Sequence, residues 1–269
     1  MTTLYVLGSG SRGNCCAVVY DGITLLLDAG FSAREVERRA ERAGLDLSRV
    51  AGITLTHEHG DHASGAARLA RRHAAPVVTA PGTWRALADT MRNITHCSLG
   101  LGSEVEIGPF TVAACPTSHD AAEPLAVVVR TPDGSAIGLA YDLGRPTAGV
   151  RYLLRGLTAL VLEANHDEVL LRTSGYPPSV QQRIAGSGGH LSNRAAAELL
   201  TEVHHGGLGV VVLAHLSQRC NSAADARRTV EPALKRAGFG GTLHVALQDD
   251  PLPALAVGAP VGAQYGLLL

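Results

Sequence analysis

The heptapeptide "THEHGDH", residues 56–62, sets three histidines, a glutamate and an aspartate directly behind the apolar run 50–55. A short apolar run of that kind reads as a buried strand, so the polar cluster falls at a strand end, where α/β folds gather their sites. His57 and His59 are two apart, so an extended segment turns both to one side. Asp61 and His62 arrive after the bend that Gly60 permits. Two groups of ligands result. Imidazole with carboxylate suits Zn²⁺ or another divalent transition metal, and so dense a cluster has little structural reason to exist without one. The bland alternative is a polar surface loop that carries histidines by chance.

The rest of the chain sets the scale. Its 269 residues suffice for a substantial core, and no stretch reads as a linker, so the expectation is one enlarged domain over 1–269. A formal charge of −1 excludes a strongly basic nucleic-acid-binding tail but leaves room for a local basic groove. The start "MTTLYVLGSG" has no cationic lead into its apolar run, and no stretch reaches the roughly 18 apolar residues of a membrane helix, so the expected setting is soluble and cytoplasmic, away from membranes. Five cysteines, an odd number with Cys15 beside Cys16, do not suggest a disulfide framework and are expected as reduced, mostly buried thiols.

Gly8, Gly10 and Gly13 in "GSGSRGN" satisfy the spacing of a dinucleotide-binding turn. That turn must open a helix whose amides face a pyrophosphate, whereas "CCAVVY" and "DGITLLLDAG" read as two strands joined at Asp21-Gly22. The glycines are therefore expected to form a flexible turn between strands. Further on, Ser32-Ala33-Arg34-Glu35 reads as a capping box opening a helix that ends near Gly44, and another helix is expected over about 63–73. Strands are expected at 104–107, 110–114, 125–130, 136–141, 158–163 and 208–214, and helices at about 192–204 and 223–237. Two β-rich halves with helices outside suggest a layered arrangement, though periodicity alone leaves other α/β layouts open.

The run H-x-H-x-D-H after a strand resembles the signature of the metallo-β-lactamase fold, a four-layer αββα architecture. Later strand ends supply matching residues: His119 in "PTSHDA", Asp142 in "LAYDLG" and His215 in "VVVLAHLS". The resemblance implies two divalent metal ions, Zn²⁺ or Mn²⁺. It places His57, His59 and His119 on one ion and Asp61, His62 and His215 on the other, with Asp142 between them. Asp120 competes with Asp142 as the bridge; Asp142 is preferred because the sheet fixes a strand terminus. "GSGSRGNC", "LEANHDEVLL", "GYPPSVQQRIAGSGGHLSN" and "LAHLS" followed by Asn221 resemble the YycJ-type (WalJ) branch of that fold, whose members are regarded as metal-dependent phosphodiesterases acting on DNA from 5′ to 3′. Where that branch favours a Glu-Asn-Asn-like run after "AHLS", this chain has Gln218-Arg219-Cys220-Asn221.

The chemistry such a centre supports can be stated from general principles. Two divalent ions about 3.5–4 Å apart can share a hydroxide at neutral pH and neutralise charge on a phosphoryl group under attack. Asp61 and Asp142 are expected to hold that nucleophile, and His190 in the glycine-flanked "GGHLSN" to clamp phosphate or protonate the departing alkoxide. Ser192 reads as a helix N-cap, with Asn193, Arg194 and Asn221 as further substrate contacts. Arg172, Arg183, Arg194 and Arg219 are candidates for lining a DNA groove. His166 and Asp167 match a family motif without an assigned role. A cyclic phosphodiesterase, lactonase or thioesterase uses the same ligands and stays open as an alternative, as does, from another class, a non-catalytic metal-stabilised regulatory module. A closed structural zinc site usually has four ligands, which argues against the module. Flavodiiron proteins carry a carboxylate at the place of His59. RNA processors with a large inserted domain need more chain than the stretch 143–214 offers. Oligomeric state is left open.

Overall fold

In the computed structural model, which describes residues 1–258, the chain builds two seven-stranded sheets. The first contains β1 (Thr2–Gly8), β2 (Cys15–Tyr20), β3 (Ile23–Leu27), β4 (Val50–Thr54), β5 (Val77–Thr79) and β6 (His96–Ser98). The second contains β7 (Glu104–Ile107), β8 (Phe110–Pro116), β9 (Leu125–Arg130), β10 (Ala136–Ala140), β11 (Ala159–Glu163), β12 (Val210–Ala214) and β13 (Thr242–Val245). A last strand, β14 (Leu255–Val257), returns to the first sheet beside β1. Each sheet is antiparallel on one side and parallel on the other: β3, β4, β5 and β6 run parallel in the first, and β10, β11, β12 and β13 in the second.

Helices cover the two outer faces. They are α1 (Ala33–Ala43), the single turn α2 (Gly60–Ala63), α3 (Ala66–His73), α4 (Pro81–Ala86), α5 (Ala148–Leu153), α6 (Glu168–Thr173), α7 (Pro178–Ala185), α8 (Asn193–Val203) and α9 (Ala223–Arg236). The strands alternate accordingly. Leu25 and Leu27 point into the layer between the sheets with Val127, Leu139 and Val161, while Leu26 packs with Val36 of α1 and Leu69 of α3. In β12, Val210 and Val212 face the inner layer and Val211 meets Leu200 of α8 and Val230 of α9. Burial of both faces explains why these strands are apolar throughout. The result is the αββα arrangement expected from the sequence.

Most predicted elements recur with shifts of one or two residues. Ser32 caps α1 by accepting from the Glu35 N–H, and Gly44 ends it with φ 71°. Ser192 and Ser222 cap α8 and α9. The helix expected over 63–73 is split, because Ser64 and Gly65 separate α2 from α3. A Cβ on Gly65 would lie 2.2 Å from the Phe31 carbonyl oxygen, so the break falls at a close approach of the two segments. All five cysteines are free, four of them buried.

Candidate metal centre

The parallel strands deliver their C-terminal ends to one edge of the sandwich. The loop after β4 carries His57 and His59, and α2 carries Asp61 and His62. His119 follows β8, Asp142 follows β10 and His215 follows β12. Asp142 and His215 take φ of 49° and 54°, and Asp28 at the end of β3 takes 56°. Left-handed backbone at three non-glycine residues costs on the order of 1–3 kcal/mol each and clusters where a side chain must be aimed.

Among the described residues the candidate ligand atoms converge in four overlapping groups, the atoms of each lying within 4.8 Å of one another: His57, His59 and His119; His57, His62 and Asp142; Asp61, His62 and His215; and Asp142, Glu163, His190 and His215. His59 Nδ1 lies 3.1 Å from His57 Nε2 and 3.3 Å from His119 Nε2. Ligands about 2.0–2.1 Å from a tetrahedral zinc are about 3.3–3.4 Å apart, so this is ligand-to-ligand spacing. Asp142 Oδ2 is 3.0 Å from His62 Nε2 and 3.5 Å from His57 Nε2, which sets its carboxylate between the two groups. Asp61 Oδ2 lies 3.5 Å from His62 Nε2 and 3.4 Å from His215 Nε2. Asp120, by contrast, is half exposed and among the described residues reaches only His119 and Arg183.

Hydrogen bonds behind the ring fix which nitrogen is free. Thr56 donates its hydroxyl to Asp28 and so accepts from His57 Nδ1 at 3.0 Å, leaving the His57 Nε2 lone pair toward the cavity. His62 Nδ1 donates to Asp28 Oδ2 at 2.7 Å, and His215 Nδ1 to Glu163 Oε1 at 3.0 Å. A carboxylate behind a histidine fixes the tautomer and raises the basicity of the outward nitrogen, as metal sites require. Burial drives the His57 imidazolium well below its ordinary range, which favours the neutral ring, whereas at His62 and His215 the surrounding carboxylates outweigh burial and favour the charged ring. The donor set and its tautomers therefore fit divalent cations.

Glu163, at the end of β11, organises the His190 and His215 side chains together. Its Oε2 accepts the Leu143 and Leu191 N–H groups at 2.8 and 2.9 Å, and its Oε1 accepts from His190 Nδ1 at 2.8 Å. Burial would raise this carboxyl, but the facing His190 and His215 outweigh it and hold Glu163 at about 2. Burial likewise works against the His190 imidazolium, but Glu163 and Asp142 lift it to about 10. With Nδ1 occupied, Nε2 is the nitrogen left to a cavity of about 170 Å³ that His190 lines with Ser11, Arg183 and the ligands.

Several placements depart from the sequence-based expectations. The glycine turn is a fixed buttress and not a flexible link: Ser9 donates to Asn14, Asn14 Nδ2 reaches the Asp61 carbonyl and lies 3.2 Å from His62 Nε2, and the His215 N–H donates to Ser9. Asn193 is 1% exposed, and its amide and that of Asn221 bond each other at 2.8 and 2.9 Å. Asn221 also donates to the Ala164 carbonyl, so this pair ties α8 to the loop after β12 instead of meeting a substrate. Arg194 is paired with Glu168 and Glu198. Arg219 covers the Tyr176 ring and donates to the Ser174 carbonyl, away from a groove role. Asp167 is the N-cap of α6. Asp28, Asn14 and Glu163 were not anticipated; the available signal was an acidic residue closing an apolar strand, as in "LLLDAG" and "LVLEAN".

Residues 24–216 match the family model of the beta-lactamase superfamily domain. The chain is 35% identical over 238 residues to the exodeoxyribonuclease YycJ of Bacillus anthracis, covering 87% of this chain and 90% of that protein. It is 28% identical over 240 residues to the exodeoxyribonuclease WalJ of Streptococcus pneumoniae, covering 87% and 89%. Among solved structures it is similar to the metallo-beta-lactamase fold protein YhfI from Bacillus subtilis, with a TM-score of 0.69 at 14% identity over 93% of this chain and 98% of that one. The Zn²⁺-bound PqqB of Methylobacterium extorquens gives 0.66 at 16% identity over 94% and 99%.

Proposed function

The chain belongs to the beta-lactamase superfamily, in its YycJ/WalJ-type branch, and on that premise we propose that it is a dinuclear metal-dependent phosphodiesterase that digests DNA from the 5′ end. One metal would be held by His57, His59 and His119, the other by Asp61, His62 and His215, with Asp142 shared. When bound, Zn²⁺ or Mn²⁺ supplies Lewis-acid charge and lowers the pKa of water. The observation that carries a phosphodiester reading is the clamp of His190 on Glu163 beside the ligand cluster. A poor alkoxide leaving group needs a proton, and His190, which lines the cavity, is favoured as the imidazolium by Glu163 and Asp142 against the effect of its burial.

The residues divide the step between them. Asp61, a quarter exposed at the cavity, orients the attacking water by accepting its hydrogen bond. The water oxygen bonds to phosphorus as the bond from phosphorus to the 3′ oxygen breaks. His190 gives its Nε2 proton to that oxygen, and a proton from the water returns to solvent. Arg183 beside Asp120 lies where it can meet a non-bridging phosphate oxygen.

The same reading treats 1–269 as one domain, since both sheets share one inner core. Among the described residues no helix is long and apolar enough to cross a membrane, and the reading places the protein in the cytoplasm. The deciding experiment offers purified protein, loaded separately with Zn²⁺ and Mn²⁺, 5′-phosphorylated and unphosphorylated DNA ends, a lactone and a thioester. Release of mononucleotides from the 5′ end is expected. Turnover of the lactone or thioester with intact DNA would overturn the reading.

A further inference from the structure

His190 forms a wall of two cavities. Beyond it from the metal ligands lies a second one, of about 400 Å³, lined by Leu171, Leu191 and Ala185 on its apolar side and by His166, Arg172 and Ser192 among its polar groups. We propose that this cavity holds the nucleotide carrying the departing 3′ oxygen, with His166 bonding its sugar or base and Arg172 its 5′ phosphate; the inference rests on the phosphodiesterase reading above.

His166 is the first support. The side chain is 2% exposed, yet its Nδ1 has no hydrogen-bond partner among the described residues. Its backbone is committed, since the carbonyl accepts the Asn193 N–H at 2.9 Å and the residue bridges to Ser192, which holds the residue on the wall of this cavity. A buried polar nitrogen left unpaired is costly, and such a group on a cavity wall marks a place for a ligand. Burial lowers the imidazolium of His166, so at neutral pH the ring presents one donor and one acceptor. That suits a hydroxyl or a base edge better than a phosphate.

The charges on the rim supply the phosphate end. Arg194 is neutralised by Glu168 and Glu198, and Glu168 also accepts from Ser192, so the acidic group here is already engaged. Arg172 is exposed and has no ion pair among the described residues. It lines the same cavity as Ser192, Arg194 and Ala195 at the N-terminal end of α8, whose dipole favours an anion. The volume lies at the small end of the roughly 300–1,000 Å³ of small-ligand sites, which fits one nucleotide and not a run of them. Position agrees with chemistry: a general acid touches the leaving oxygen, so the unit bearing that oxygen must lie against His190.

The test uses the metal-loaded chain, the metal-stripped chain, and deoxyadenosine 5′-monophosphate and deoxyadenosine as probes in calorimetry. The monophosphate is expected to bind both forms and to inhibit DNA digestion competitively. Arg172→Ala should weaken the monophosphate about tenfold or more and leave deoxyadenosine unaffected, whereas His166→Asn should weaken both. On DNA the loss should fall mainly on KM. Arg172 is exposed, so its variant stays informative even where His166→Asn disturbs folding. Digestion of DNA by wild type with both variants matching it in KM and in monophosphate binding would overturn the assignment while leaving the proposed function intact. Monophosphate binding that depends on both residues in a chain that does not cut DNA would sustain the cavity and remove the phosphodiesterase reading.

Discussion

His190 Nδ1 rests on Oε1 of Glu163 at 2.8 Å, and that same oxygen lies 3.0 Å from Nδ1 of His215. One buried carboxylate thus aims the proposed general acid and a proposed metal ligand together. Glu163 accepts from four groups, counting the Leu143 and Leu191 N–H groups. Glu163→Gln keeps the volume but turns an amide donor toward groups that already donate. Turnover of DNA should fall about 10–100-fold and metal affinity should weaken, on the scale seen when support behind a ligand is lost. Kinetics with elemental analysis checks this, and wild-type values for both would remove Glu163 from the site.

The ligand grouping makes a stoichiometric prediction. Asp61 contacts His62 and His215 but belongs to no group with His59 and His119. Asp61→Ala should therefore abolish turnover and still retain one metal per chain. Metal analysis after dialysis decides it. Full activity in the variant, or less than one metal in wild type purified with metal in excess, would overturn the grouping.

A proton donor matters most where the leaving group is poor. His190→Ala should lose about 10²–10⁴-fold on DNA and less on bis(p-nitrophenyl) phosphate, whose phenol is acidic. Metal content should stay the same. Equal loss on both substrates together with a lost metal would make His190 a ligand.

Much of the proposed centre was legible because Asp142 and His215 each close an apolar run and the cluster at 56–62 follows one, where so many polar side chains together have few roles other than a site. The long strands and the capped helices α1, α8 and α9 were legible for the same kind of reason, a clear period bounded by a cap. The short pieces were not. Strands β5 and β6 have three residues each, too few for a period, and α6 and α7, of six and eight residues, are too short to show a clear one. Glu163 and Asp28 were missed because their work lies in partners brought from other strands. Asn193 was misread because a helix start looks alike whether its amide meets a ligand or, as here, another asparagine.

Asp133 gives a pH dependence outside the site. It accepts from the Thr2 N–H at 2.9 Å, the Thr131 hydroxyl at 2.8 Å and the Ser135 N–H at 3.2 Å, fastening the start of β1 to the turn before β10. Burial raises its carboxyl, but these bonds outweigh that and hold it at about 2. An unfolded aspartate titrates near about 3.9, so the native state binds the proton less readily. The stabilisation, about 2 kcal/mol, is therefore present in full above that value and lost as pH falls toward about 2. Asp133→Asn should lower stability at pH 7 and flatten the dependence between about 4 and 2. Parallel denaturant titrations over that range test it, and equal slopes in the two proteins would refute the account.

Gly30 shows how tightly the backbone itself confines the centre. A Cβ there would lie 1.7 Å from the Asp61 carbonyl oxygen and 2.8 Å from the Asn14 nitrogen, both main-chain atoms that cannot swing aside. Those atoms bond each other at 2.8 Å, and the Gly30 N–H donates to the Asn14 carbonyl at 2.9 Å, so three segments meet at one point. Gly30→Ala must push α2 outward and carry Asp61 and His62 with it, while His57, His59 and His119 approach from the other side. The expected result is loss of one metal and of turnover, with the second metal retained. Gly44→Ala is the control: its φ of 71° makes alanine strained, by about 1 kcal/mol, but the space around it is open and α1 lies away from the ligands. It should lower the melting temperature and leave both metals in place. Equal metal loss in the two variants would mean that stability, and not the fit of Gly30 against Asp61, governs the centre.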